Sequence, residues 1–206
     1  MQEKYEETIK VVFLHDSGVG AKQIFNIVIG GSFDEERYSF ASTFFTLKNK
    51  KYILHFWDSS GTEKYSSMAK MFIKGSKLVI FIYDITNKNS FLKLDSLIEM
   101  AKEVVGDNAI FGIMGSKYDL YKYQVISDEE AYRFAESKGM KLKFVSAKND
   151  PNGIRDFIKE LAFDYLLTNK ELNLKKTDLR YLKSDEKINE NLNKNYIKIL
   201  NKHNNY

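Results

Sequence analysis

Five short apolar runs, widely spaced, constrain this chain more than any other feature. They are IKVVFL (Ile9 to Leu14), YILHFW (Tyr52 to Trp57), LVIFIY (Leu78 to Tyr83), IFGIM (Ile110 to Met114) and LKFV (Leu142 to Val145), and they read as strands. Between most of them lie stretches with helical spacing, such as Phe91, Leu94, Leu97, Ile98 and Ala101, or Ile154, Phe157, Ile158, Leu161 and Ala162. Ser127 and Glu130 stand in capping-box spacing at the start of the fourth helix. Near-continuous apolar strands alternating with helices predict an α/β fold, its parallel sheet covered on both faces. A further segment, RYSFASTFFTL, followed by the polar turn KNKK, predicts an antiparallel hairpin partner for the second run.

Polar residues follow each run. His15-Asp16-Ser17-Gly18 follows the first, Asp58 the second, Asp84 the third, Gly115-Ser116-Lys117-Tyr118-Asp119 the fourth and Ser146-Ala147-Lys148 the fifth. In open α/β sheets the carboxyl edge of the strands is where ligands bind, so these segments are expected to converge on one site.

The 206 residues, 43% hydrophobic and 14% aromatic, suffice for one domain with a real core and some chain left over. No run approaches the roughly 18 consecutive apolar residues of a membrane span, and MQEKYEETIK is too charged for a signal peptide. With no cysteine there is neither a disulfide nor a prenylation or palmitoylation site, and Gln2 excludes myristoylation. These features predict a cytoplasmic protein without a direct lipid anchor, recruited to endomembranes only through a partner. The net charge of +4 resides wholly in the last segment: from Thr168 onward there are nine Lys or Arg against five Asp or Glu, leaving 23 of each before it. A neutral body argues against a nucleic-acid groove. His15, His55 and His203 have no Asp, Glu or second His at ligand spacing, so no zinc site is expected.

The stretch VVFLHDSGVGAKQIF (Val11 to Phe25) has the glycines of a phosphate-binding loop, but its lysine stands one position late. Ala21 follows Gly20, and the lysine is Lys22. Taken in order, DSGVG, WDSSG, SKYD and SAK resemble the Ras superfamily of small GTPases, most closely its Rab branch, over about Lys10 to Leu167. WDSSGTEKY, MFIKGS and IYDIT carry the likeness without gaps. The resemblance implies a P-loop NTPase-like small GTPase domain with a six-stranded, mostly parallel sheet and five helices on both faces. It divides the chain into a G domain, residues 1–167, and an Asn/Lys-rich tail, residues 168–206, either disordered or forming a docking helix through Ile188, Leu192, Tyr196, Ile199 and Leu200.

Guanine recognition follows from matching the family's Asn-Lys-x-Asp motif. Asp119 takes the role of accepting two hydrogen bonds from the base, and the stem of Lys117 that of covering the ring. Ser116 replaces the asparagine and retains one short hydrogen bond. Ala147 would offer its backbone N–H to guanine O6, with Ser146 and Lys148 supporting the loop. Asp16, Ser17, Gly18, Val19, Gly20, Ala21, Lys22 and Gln23 form the matched phosphate loop, with Gly61 as a backbone N–H for a γ-phosphate. His15 stands at the position of the first glycine, Ala21 at the lysine and Lys22 at the magnesium-binding Ser or Thr.

Those exchanges leave GTP or GDP as the expected ligand and put magnesium in doubt. Lys22 has two readings: a solvated helix residue, rotated by about 100° from its neighbour, or an ammonium standing in for the metal. Asp58 is either an outer-sphere metal contact or a strand-end turn former. Thr62 occupies the place of the water-orienting glutamine, and its side chain is too short for that task, which implies weak or absent hydrolysis. Glu35 falls where the first switch has a metal-binding threonine. Phe40, Trp57 and Phe72 match the aromatic triad that Rab proteins present to effectors, or they fill the core beneath the switches. The implied function is a divergent Rab-like guanine-nucleotide-binding protein of vesicle traffic that engages effector or regulatory proteins. A pseudo-GTPase that binds no nucleotide and acts as an interaction module is the alternative.

Overall fold

A computed structural model describes residues 5–31, 40–47, 50–59 and 66–168. In chain order these form β1 (Tyr5–His15), α1 (Ala21–Val28), β2 (Phe40–Leu47), β3 (Lys50–Asp58), α2 (Ser66–Ile73) and β4 (Leu78–Asp84). There follow α3 (Lys88–Leu92), α4 (Leu94–Val105), β5 (Ile110–Ser116), α5 (Asp128–Ser137), β6 (Lys141–Phe144) and α6 (Pro151–Thr168). Two short 3-10 turns, Gly106–Asn108 and Tyr118–Tyr123, precede and follow β5.

The six strands make one sheet in the order β2-β3-β1-β4-β5-β6. Only β2 is antiparallel, paired with β3 from Phe40 opposite Trp57 to Leu47 opposite Lys50. All other pairings are parallel, as the alternation of strands and helices predicts. Near the sheet's centre lies β4, every residue of it buried, which explains why its sequence shows no polar alternation. One core layer packs α1 and α6 against the sheet through Phe25, Ile158 and Leu161; the opposite layer packs α3, α4 and α5 through Phe91, Ile98 and Ala131. The close approach of α6 depends on Gly112, because a Cβ there would lie 2.6 Å from Leu161 Cδ1. Helix α5 opens as its capping residue requires, the Ser127 hydroxyl accepting from the Glu130 N–H at 3.1 Å.

Several boundaries differ from the sequence reading for identifiable reasons. β1 begins at Tyr5 rather than Ile9, since Glu7 and Thr8 pair with Tyr52 and Ile53 of β3 despite their polarity. Glu7 also accepts a hydrogen bond from the Tyr165 hydroxyl at 2.9 Å, joining β1 to α6. Lys50 and Lys51 are not turn residues but part of β3, where the Lys51 ammonium sits 5.3 Å from the Phe44 ring on the facing strand. β6 runs from Lys141 to Phe144 rather than from Leu142 to Val145. Among the described residues there are six α-helical segments where five were expected, because the third is divided at Lys93. That residue keeps φ −71° and ψ −15°, so the division is a local irregularity in a path that stays helical. α6 runs through Thr168, one residue past the expected domain boundary. Glu35, Gly61, Thr62 and the tail beyond Thr168 lie outside the described residues.

Candidate functional site

Parallel pairing places four strand ends along one edge of the sheet: His15 of β1, Asp58 of β3, Asp84 of β4 and Ser116 of β5. All four are buried. Polar side chains in that position must find partners, and the partners they find join the sequence motifs into one site.

The loop between β1 and α1 turns on two glycines, Gly18 at φ +76° and Gly20 at φ +83°, left-handed conformations that strain any residue with a Cβ. Gly20 caps α1 without a side-chain hydrogen bond, so the first N–H groups of this helix point into the loop without intrahelical partners. The same end carries the positive pole of the helix, which favours an anion. Asp16 brings a negative charge into this loop, offset by the Lys93 ammonium 2.6 Å from its carboxylate. Desolvation would raise the Asp16 pKa, but the hydrogen bonds from Lys93 and from the Ser17 backbone prevail and lower it.

Ser116 and Lys117 connect the loop to the end of β5. The Ser116 hydroxyl is 2.5 Å from the Val19 carbonyl. Lys117 has φ +60°, the only positive φ outside glycine among the described residues. Its ammonium donates to the Gly18 carbonyl at 2.8 Å and lies 2.6 Å from Asp84 Oδ2. Its stem passes beside Gly20, where a Cβ would meet Lys117 Cε at 3.6 Å. Asp84 in turn accepts from the Thr86 N–H at 2.8 Å and the Thr86 hydroxyl at 2.7 Å, which fixes its carboxylate toward the lysine.

The next two loops close against each other. Tyr118 N–H donates to the Val145 carbonyl at 3.0 Å, and Val145 N–H to the Gly115 carbonyl at 2.8 Å. The Ser146 hydroxyl donates to Asp119 Oδ1 at 2.7 Å and accepts from the Asn149 N–H at 3.0 Å. One oxygen of Asp119 is therefore anchored, while Oδ2 has no partner among the described residues. Ala147 lies half-buried in the same turn and Lys148 is exposed.

His15 has no carboxylate at metal-ligand spacing in the sequence, and the structure supplies one from another strand. Its Nε2 lies 2.7 Å from Asp58 Oδ1 and its Nδ1 2.7 Å from the Asp16 carbonyl. The side chains of His15 and Asp58 are 5% and 3% exposed, so this is a buried pair. With the carboxylate ionised, both ring nitrogens face acceptors, and the ring satisfies both only when it carries two protons. The β1–β3 register, with Phe13 opposite Asp58, is what brings the two residues together.

Beyond β3, the ring centroids of Phe40 and Trp57 are 4.5 Å apart and those of Trp57 and Phe72 are 6.0 Å apart. All three are half-buried, and Trp57 packs against the core layer of α3 and α4. The Lys10 ammonium stands 5.4 Å from the Trp57 ring.

Comparison with known families decides what this edge belongs to: the model of the Ras family matches residues 10–166. The chain belongs to the Ras family. It is similar to the Ras-related protein Rab-21 of Geodia cydonium, with 30% identity over 158 residues, 74% of this chain and 69% of that protein. It shares 32% identity over 149 residues with the human Ras-related protein Rab-31, 70% of this chain and 76% of that one. The GTP-binding protein ypt3 of Schizosaccharomyces pombe is 28% identical over 172 residues, 81% of this chain and 78% of that protein. The six-stranded, mostly parallel sheet with its helices is consistent with a Ras-like small GTPase fold.

In this Ras-family protein the structure brings Gly18, Gly20, Ser116, Lys117, Asp119 and Ser146 into one connected network. Ser17 is exposed beside them, while Val19 and Ala21 are buried in the core layer of α1. Lys22 and Gln23 are half-buried in the first turn of α1. Neither a hydrogen bond nor an ion pair holds Lys22 among the described residues. Sequence reasoning placed His15 and Asp84 at the converging strand ends but missed their partners, Asp58 and Lys117. Both could have been found by asking what a polar residue at the end of one buried parallel strand faces on the next.

Proposed function

We propose that this Rab-like small GTPase binds guanine nucleotide at the carboxyl edge of its sheet and works in membrane traffic, with GTP hydrolysis slow or absent. One observation carries the reading. Ser146 fixes Asp119 by one oxygen and leaves the other open, while Lys117 and Ser116 join the same corner to the loop of Gly18 to Gly20. A carboxylate so placed suits the paired N–H donors of guanine, and the free N–H groups at the start of α1 suit a phosphate. The share of the chain outside the G domain, residues 168–206, is proposed as a separate tail.

Magnesium fits the residues present poorly. The family's ligand set needs a hydroxyl where Lys22 stands, and Asp58 Oδ1 is already engaged by His15. Lys22, lacking a partner among the described residues, is available to meet phosphate charge directly. Slow hydrolysis is supported by Thr62 at the position of the water-orienting group and by Ala21, which has no charge to offer a transferring phosphoryl group. The half-buried triad of Phe40, Trp57 and Phe72 supports effector or regulatory proteins as partners. No helix among the described residues is long and apolar enough to cross a membrane, and recruitment to endomembranes is proposed to run through such a partner.

The exchanges at Ala21, Lys22, Glu35 and Thr62 favour a second reading, a pseudo-GTPase that binds no nucleotide and serves as an interaction module. Denaturing the purified protein and identifying the released small molecules by chromatography separates the two. Stoichiometric GDP or GTP establishes the first reading; an empty protein that also fails to take up added GDP establishes the second.

A further inference from the structure

Asp58 ends β3 as a buried carboxylate beside the loop proposed to hold phosphate. Two negative groups in such proximity repel, and burial sharpens the repulsion by removing water. A divalent cation would screen such a pair. Here the carboxylate meets an imidazole N–H from His15 at 2.7 Å instead. The ring is locked at its other end by the Asp16 carbonyl, also at 2.7 Å, so it cannot swing away without losing a second hydrogen bond. A glycine at this position would leave the Asp58 oxygen without that donor.

We propose that His15 is a positioning residue that takes over the part of a divalent cation at Asp58, so that the protein retains guanine diphosphate without magnesium and retention depends on the imidazole. This rests on the guanine-nucleotide reading above and adds to it the regulation of that site: nucleotide exchange is governed by a protein side chain rather than by the metal. The charge logic is specific. Removing His15 exposes the phosphate to Asp58 and creates a need for a cation, whereas removing both His15 and the Asp58 charge abolishes that need.

The experiment loads the full chain with fluorescent GDP and follows its release into excess unlabelled GDP, in magnesium and in EDTA. Wild-type release is expected to differ by less than about twofold between the two conditions, a negligible free-energy difference. His15→Gly is expected to release GDP about ten to a hundred times faster in EDTA than in magnesium, the range for a lost hydrogen bond to a charged group. His15→Gly with Asp58→Asn is expected to become insensitive to EDTA again. His15→Gln, which keeps an N–H donor, is expected to stay close to the wild type. A merely structural role for His15 would change release equally in both conditions and would not be reversed by Asp58→Asn.

Wild-type release strongly accelerated by EDTA overturns the proposal while leaving guanine-nucleotide binding intact. Equal release by His15→Gly in both conditions overturns it as well. Failure of the wild type to bind GDP in either condition removes the guanine-nucleotide reading and the proposal with it. Should His15→Gly prove unfolded by thermal melting, the wild type and His15→Gln still decide, because a metal-dependent wild type is sufficient to reject the idea.

Discussion

The Ser116 hydroxyl stands 2.5 Å from the Val19 carbonyl, bonding the tip of β5 to the phosphate loop across 97 positions of sequence. The same oxygen is 2.9 Å from the Tyr83 carbonyl. A hydroxyl has one proton to give, and the shorter contact assigns it to Val19. Serine at this position thus ties the guanine corner to the phosphate loop.

Two substitutions test that link. Ser116→Ala leaves the Val19 carbonyl without its donor in a buried setting, which is expected to cost about 1–3 kcal/mol of stability and to weaken GDP binding. Ser116→Asn restores the family residue but adds volume at a position only 2% exposed. Overpacking of that kind costs about 1–3 kcal/mol, so the asparagine is expected to lower the melting temperature without tightening GDP. Denaturant melts and calorimetric GDP titration read both outcomes, and a stable, tighter-binding Ser116→Asn would contradict the account.

Ser146 acts on Asp119 rather than on a ligand. Its removal by Ser146→Ala frees the carboxylate to rotate, and GDP affinity is expected to fall about tenfold, the value of one hydrogen bond to a charged group. Preference for GDP over ADP should shrink with it, since orientation of Asp119 is what the base reads. Competition binding with the two diphosphates measures this. An unchanged preference would mean that Asp119 is held by the rest of its loop.

Tyr83 provides a pH-dependent signature. Its hydroxyl is buried without a hydrogen-bond partner among the described residues, and burial, followed by the nearby charges of Asp128 and Glu130, pushes its pKa well above the usual value. The neutral form is the one the fold tolerates. Stability is therefore complete below the unfolded pKa of about 10 and declines above it by up to about 1.4 kcal/mol per pH unit, as the unfolded chain ionises first. Tyr118 works in the same direction, its pKa raised chiefly by the hydrogen bond it donates to Asp128. Tyr83→Phe is expected to flatten part of this alkaline decline and to gain about 1 kcal/mol at neutral pH by removing an unpaired hydroxyl. Denaturant melts across the alkaline range give the slope; an unaltered slope would place the effect elsewhere.

The aromatic residues at the sheet edge divide by burial. Phe56 is fully buried and packs edge-on against Phe25, whereas Phe40 is half-buried against Trp57. Phe56→Ala is expected to cost about 3–5 kcal/mol and Phe40→Ala less than about half of that, in proportion to the area withdrawn from water. Equal costs would show that Phe40 is an interior residue and remove the argument that it faces a partner.

The sheet was legible in the sequence where chemistry and position agree. From Leu78 to Ile82 β4 has no polar residue because both its faces are covered, and the helical spacing of Ile154 to Ala162 marks the apolar face of α6. The start of β1 was not legible, because Glu7 and Thr8 carry no apolar pattern and only pairing with β3 makes them strand residues. Likewise the site's guanine corner could be assembled from SKYD and SAK, whose residues lie near each other at adjacent strand ends. His15 and Asp58 are 43 positions apart, and nothing local to either predicts the other. Their meeting depends on the strand register, which single-residue spacing does not contain.

The sheet ends on one side at β6, four residues long, and on the other at β2, eight residues long. Among the described residues no strand pairs with the outer side of β2. A four-residue border offers little template for a foreign chain, but an eight-residue one offers a full row of amide donors and carbonyl acceptors. Aggregation on heating is therefore expected to nucleate along β2, and a proline replacing a residue there whose N–H points outward would delay it without touching the nucleotide edge.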